Sequence, residues 1–98
     1  MHNLDTYQQI EKIKILNWIK QSAMVLKPSL RSEDPKEFEE ARRAHKDLVD
    51  RFYAETSDYI PLSQYKAAER NFEYFLRLID IAIVFCTVEL EKSEAVKT

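Results

Sequence analysis

The sequence predicts an all-α fold, an antiparallel three-helix bundle with a long C-terminal helix, and three observations carry that expectation. Glycine is absent from the 98 residues, whereas tight β-hairpins depend on it for positive φ. Proline occurs only at positions 28, 35 and 61, which leaves three long segments free of breakers. Within those segments apolar residues recur three and four apart, the helical period. With 45% hydrophobic residues the chain is too apolar for a disordered one, despite its 33% charged content. Its length suits one domain over residues 1–98.

Helix 1 is expected over about residues 4–26, because Lys27 precedes Pro28 and a proline disfavours helical geometry in the residue before it. On a wheel Leu4, Tyr7, Ile15, Trp18, Val25 and Leu26 group on one side, while Ile10, Ile13 and Met24 point elsewhere. Helix 2 is expected over about 35–56. Asp34 is placed to cap its free N–H groups, Pro35 suits the first helical position, and Glu37 stands where a capping box has its acid. Phe38, Ala41, His45, Leu48 and Phe52 form its apolar seam, and five opposite-charge pairs from Glu39/Arg43 to Arg51/Glu55 are spaced four apart on its outer side. Pro61 interrupts the chain again, and Ser63 is a candidate cap for helix 3 over about 63–92.

The third helix contains LIDIAIVFCTVEL, residues 78–90. A membrane span needs about 20 apolar residues, and this run is bounded or interrupted by Arg77, Asp80 and Glu89. No membrane role is expected. At about 100° per residue, Tyr65, Ala68, Phe72, Phe75, Leu76, Ile79, Ala82, Ile83, Cys86 and Leu90 lie within about 60° of Ile79 and make a core face. A second series, Tyr74, Leu78, Ile81, Phe85 and Val88, follows heptad spacing on another side. Core packing needs only about 100° of apolar arc, so this second series, with Ile10 and Ile13 of helix 1, is the expected interface with a second copy or another protein.

Chemistry is sparse. His45 lies on the helix 2 seam, where a histidine satisfied by a neighbouring carboxylate or tyrosine hydroxyl is expected, and the di-iron pattern Glu-x-x-His fails because position 42 is arginine. Without glycine there is no phosphate-binding loop and no nucleophile elbow. Cys86, the single cysteine, excludes an internal disulfide and falls inside the core face, away from basic neighbours. No cofactor, metal or enzymatic activity is expected. The lone cysteine and an N-terminus without an apolar signal region suggest the cytoplasm.

The leading functional expectation is therefore a small interaction protein, a regulator, inhibitor or assembly subunit, working as a homodimer. The alternative is a nucleic-acid-associated regulator, using Arg42, Arg43 and Lys46 with the basic N-terminal third, which carries +3 against −5 for the remainder. The net charge of −2 and the acids around Arg42 and Arg43 speak for a surface ion-pair network instead.

Overall fold

The structure, a computed structural model, describes the backbone of residues 2–97 and the side chains of residues 6–92. Leu4, grouped above with the apolar residues of helix 1, lies outside the described side chains. The fold is an all-helical bundle of α1 (His2–Leu26), α2 (Pro35–Thr56), α3 (Leu62–Arg70) and α4 (Phe72–Lys97). A single 3₁₀ turn, Ser29–Arg31, links α1 to α2. The long axis is 55 Å against 24 and 16 Å across, so the bundle is elongated along its helices.

Helix α2 starts where its cap dictates. Asp34 is extended, its Oδ1 accepts the Lys36 N–H at 3.0 Å, and Pro35 takes the first helical position. Glu37 does not close a reciprocal box on Asp34. The Ser32 hydroxyl accepts the Asp34 N–H and donates to Glu37 Oε2, so Ser32 relays between them.

The expected third helix is two helices. Asn71 has extended backbone, φ −138° and ψ 106°, and serves both sides of the break: its N–H closes α3 on the Ala67 carbonyl, and its Oδ1 accepts the Tyr74 N–H at 3.1 Å to open α4. Asparagine is a strong N-cap because its side chain replaces a missing backbone acceptor. Ser63 does not cap α3, which begins at Leu62 after an extended Pro61. Tyr59, just before α3, reaches Cys86, and α3 ends beside the first turn of α4. Helix α3 thus lies back along the N-terminal half of α4, giving four helices where three were expected.

Breaking α3 exposes a carbonyl that would have continued the helix. His45 of α2 satisfies it: Nε2 lies 3.0 Å from the Ala68 oxygen, and since a carbonyl only accepts, Nε2 carries the proton. The ring is 5.3 Å from that of Phe72 and 5.4 Å from that of Phe75, so His45 ties α2 to both sides of the break.

The core runs through Leu16, Ile19 and Ala23 of α1, Val49 and Phe52 of α2, Tyr65 and Ala68 of α3, and Phe75, Leu78, Ile79, Ala82 and Cys86 of α4. Burying each large side chain of this set contributes about 1.5–3 kcal/mol. Phe38 is exposed rather than buried in the α2 seam. The face that α1 buries also differs from the expected grouping, since Tyr7, Trp18 and Val25 are exposed and Leu16, Ile19 and Ala23 face inward. Ala23 and Ala82, both completely buried, allow α1 and α4 to approach closely. The pairs Lys20–Asp80 and Lys27–Glu73 show that numbering rises along α1 as it falls along α4. No described residue has positive φ.

Candidate interaction surface

Helix α4 packs chiefly on α1 and, near its start, on α3. The side of α4 opposite Ile79 therefore meets no other helix over its central turns. Ile81 and Val84 are 59% and 61% exposed, and Phe85 and Val88 are 41% and 40% exposed. Together they form a continuous apolar stripe, since 81, 84, 85 and 88 fall on one side at about 100° per residue.

The seven residues expected to form an interface do not share one environment. Ile81, Phe85 and Val88 lie on the open stripe, and Ile10 is exposed on α1. Leu78 is only 2% exposed and belongs to the chain's own core, while Tyr74 and Ile13 are partly buried and packed against it. The expected series was drawn on a straight helix over 63–92, whereas the break at Asn71 adds α3 as a further helix packed on α4, and Leu78 belongs to the core shared by all four helices. Tyr59, in the turn before α3, stacks on the Phe85 ring at 4.1 Å and bounds the stripe on that side. Val84, the most exposed member, was missing from the expected series. Its spacing of three from Ile81 and four to Val88 is the signal that would have found it.

On its other edge the stripe continues towards α1. The Lys20–Asp80 ion pair, 2.6 Å, marks the rim of the α1–α4 seam. Turning outward from Lys20 on α1 brings Ile13, Met24, Asn17 and Ile10 into view. Turning outward from Asp80 on α4 brings Val84 and Val88. Ile10 and the exposed Met24 thus extend the apolar surface across two helices, with Lys20–Asp80 as a polar bridge within it.

A separate groove of about 400 Å³ lies between α1 and α2, lined by Trp18, Ser22, Leu26, Ala44, Leu48 and Arg51. The Arg51 guanidinium sits over the Trp18 ring at 5.6 Å from its centre and covers part of this apolar lining. Tyr7 and Val25 are exposed on the same side of α1.

The chemically capable residues are engaged in structural roles. Burial lowers the His45 imidazole below its ordinary value, outweighing the opposing effects of the Ala68 carbonyl and the Glu69 charge. Tyr53 packs edge-on against Tyr65 at 4.6 Å. Thr56 is completely buried; its hydroxyl donates to the Phe52 carbonyl at 2.7 Å and so accepts the Tyr65 O–H at 2.6 Å. Burial pushes the Tyr65 phenol up. It does the same to Tyr59, whose oxygen lies 3.7 Å from the buried Cys86 Sγ. Among the described residues no group of three or more His, Cys, Asp or Glu is placed to hold a metal ion.

Arg42 and Arg43 are paired, whereas Lys46 joins no ion pair among the described residues. Arg42 binds Glu39 through two hydrogen bonds, 2.8 and 3.2 Å, and Arg43 approaches the same carboxylate at 3.6 Å. The Arg42 hydrogen bonds hold the Glu39 carboxyl below its ordinary range. In α1, Lys14 pairs with Glu11, and Lys20 and Lys27 pair with acids of α4. No helix, over the described residues, is long and apolar enough to cross a membrane. Compared with protein-family models, with curated proteins and with solved structures, the chain matches none.

Proposed function

We propose that the chain is a small, non-enzymatic helical interaction module that self-associates through the outer side of α4 and acts as a regulator, inhibitor or assembly subunit. The observation that supports this reading is the stripe of Ile81, Val84, Phe85 and Val88, continuous in sequence register and open to solvent. Scattered exposed apolar side chains are ordinary on a protein surface, but a contiguous set is characteristic of contact sites. Its extension over Ile10 and Met24 of α1 widens it beyond one helix. The polar chemistry points the same way, because His45, Thr56 and Tyr65 are spent on internal hydrogen bonds.

Light scattering across a concentration series tests the proposal. A dimer is expected, and Ile81→Asp is expected to convert it to a monomer with unchanged helical circular dichroism, because Ile81 is mostly exposed within one chain. A wild-type chain that stays monomeric at about 100 µM, well above the micromolar range of weak specific dimers, refutes self-association.

A further inference from the structure

The charges at the two ends of the α4 stripe are what make the contact directional. Arg77, Ile81, Val84, Val88 and Glu91 are spaced four, three, four and three, the repeat of a heptad seam, and all five are exposed. This seam lies one step round the helix from the Tyr74-to-Val88 series, whose Leu78 is in the core. Three apolar residues occupy its middle, a cation stands at its start and an anion at its end. Among the described residues neither Arg77 nor Glu91 joins an ion pair, although the nearby Glu73 and Asp80 are taken by Lys27 and Lys20.

We propose that α4 pairs with the α4 of a second copy in antiparallel orientation, about a two-fold axis beside Val84, so that Arg77 of each copy meets Glu91 of the other. The proposal rests on the self-association reading above and adds orientation and register to it. Arg77 precedes Val84 by as many residues as Glu91 follows it, so a two-fold axis at Val84 brings these opposite charges level twice. Ile81 then lies level with Thr87, and Val84 faces its own counterpart. A parallel pairing with the same residues sets Arg77 against Arg77 and Glu91 against Glu91, which like-charge repulsion opposes. Opposite charges at equal distances from the centre of an apolar seam are self-complementary. That property selects a second copy of this chain as the occupant.

Charge reversal and directed cross-linking test the arrangement on the full chain. Arg77→Glu and Glu91→Arg, each alone, are expected to weaken the dimer about tenfold by turning two attractions into two repulsions, and the double variant to restore it to within about threefold. Arg77→Cys mixed with Glu91→Cys is expected to give a disulfide-linked dimer under mild oxidation, while neither variant alone does; the native Cys86 is 1% exposed and takes no part. Cross-linking of Arg77→Cys with itself, or single reversals that leave an existing dimer unaffected, overturns the antiparallel seam while leaving self-association intact. A chain that is monomeric throughout overturns both, including when its α4 face captures a different protein.

Discussion

Acidification tests the His45 junction directly. Histidine has an unperturbed value of 6.5, and burial lowers it in the folded chain. The unfolded chain therefore takes up a proton as pH falls through about 6.5 while the folded chain does not, so stability declines with falling pH and levels off only below the depressed folded value. Above about 6.5 both states are neutral at this site and the effect vanishes. Between pH 7.5 and 5.5 the largest loss this single group produces is about 1.4 kcal/mol, the linkage limit for one unit of pH below the unfolded value. For a chain with a urea dependence of about 1–1.5 kcal/mol per molar, the unfolding midpoint drops by about 1 M.

The assay is urea unfolding followed by circular dichroism at both pH values, at one protein concentration because any self-association contributes to apparent stability. His45→Gln is the control: its amide retains a donor for the Ala68 carbonyl and does not titrate in this range. The variant should lose the pH dependence that wild type shows, so the difference between the two isolates His45 from other titrating groups. If His45→Gln keeps the full wild-type slope, or wild type shows none, the neutral, carbonyl-capping histidine is wrong.

Further substitutions probe other junctions. Asn71→Ala removes the cap on the Tyr74 N–H and is expected to cost about 1 kcal/mol in urea unfolding, as is Asp34→Ala at the start of α2; a neutral result for Asn71→Ala means the break is imposed by packing alone. Thr56→Val keeps the shape but strips the Tyr65 hydroxyl of its acceptor, with an expected loss of about 1–3 kcal/mol that Tyr65→Phe in the same chain partly relieves, a coupling that a double-mutant cycle measures.

Local punctuation made some of this fold legible. The end of α1 at Leu26 and the start of α2 follow from Lys27-Pro28 and Asp34-Pro35, because proline geometry and side-chain capping act within a few residues. The break at Asn71 was not read. No proline or glycine marks it, and Lys66 to Arg70 joins helically to Phe72 onward in any propensity reading. Its one signal is the asparagine itself, three residues before an N–H it can accept.

The faces were harder to assign than the elements. Helix α1 has apolar residues on most sides, so the wheel alone did not choose Leu16, Ile19 and Ala23. The choice depends on fit against Ile79, Ala82 and Cys86, which are remote in sequence. The outward direction of Ile81, Phe85 and Val88 follows from their angle to Ile79, since that relation is internal to one helix. Leu78 escaped because its burial depends on packing against other helices, which its angle on α4 does not give. The polar junctions, His45 on Ala68 and Tyr65 on Thr56, are long-range pairings to groups that local pattern leaves anonymous.

The absence of positive φ among the described residues has a consequence for how this chain tolerates change. Its corners are made from extended or right-handed residues, Ser32, Ser57, Pro61 and Asn71 among them, and the side chains of Asp34 and Asn71 cap the helices that follow them. None needs the backbone freedom of glycine. Any L-residue except proline fits the dihedral angles at Asn71, and what restricts substitution there is the loss of a particular hydrogen bond. Drift at the corners therefore erodes stability in steps of about 1 kcal/mol per lost cap, without ever demanding a new chain path.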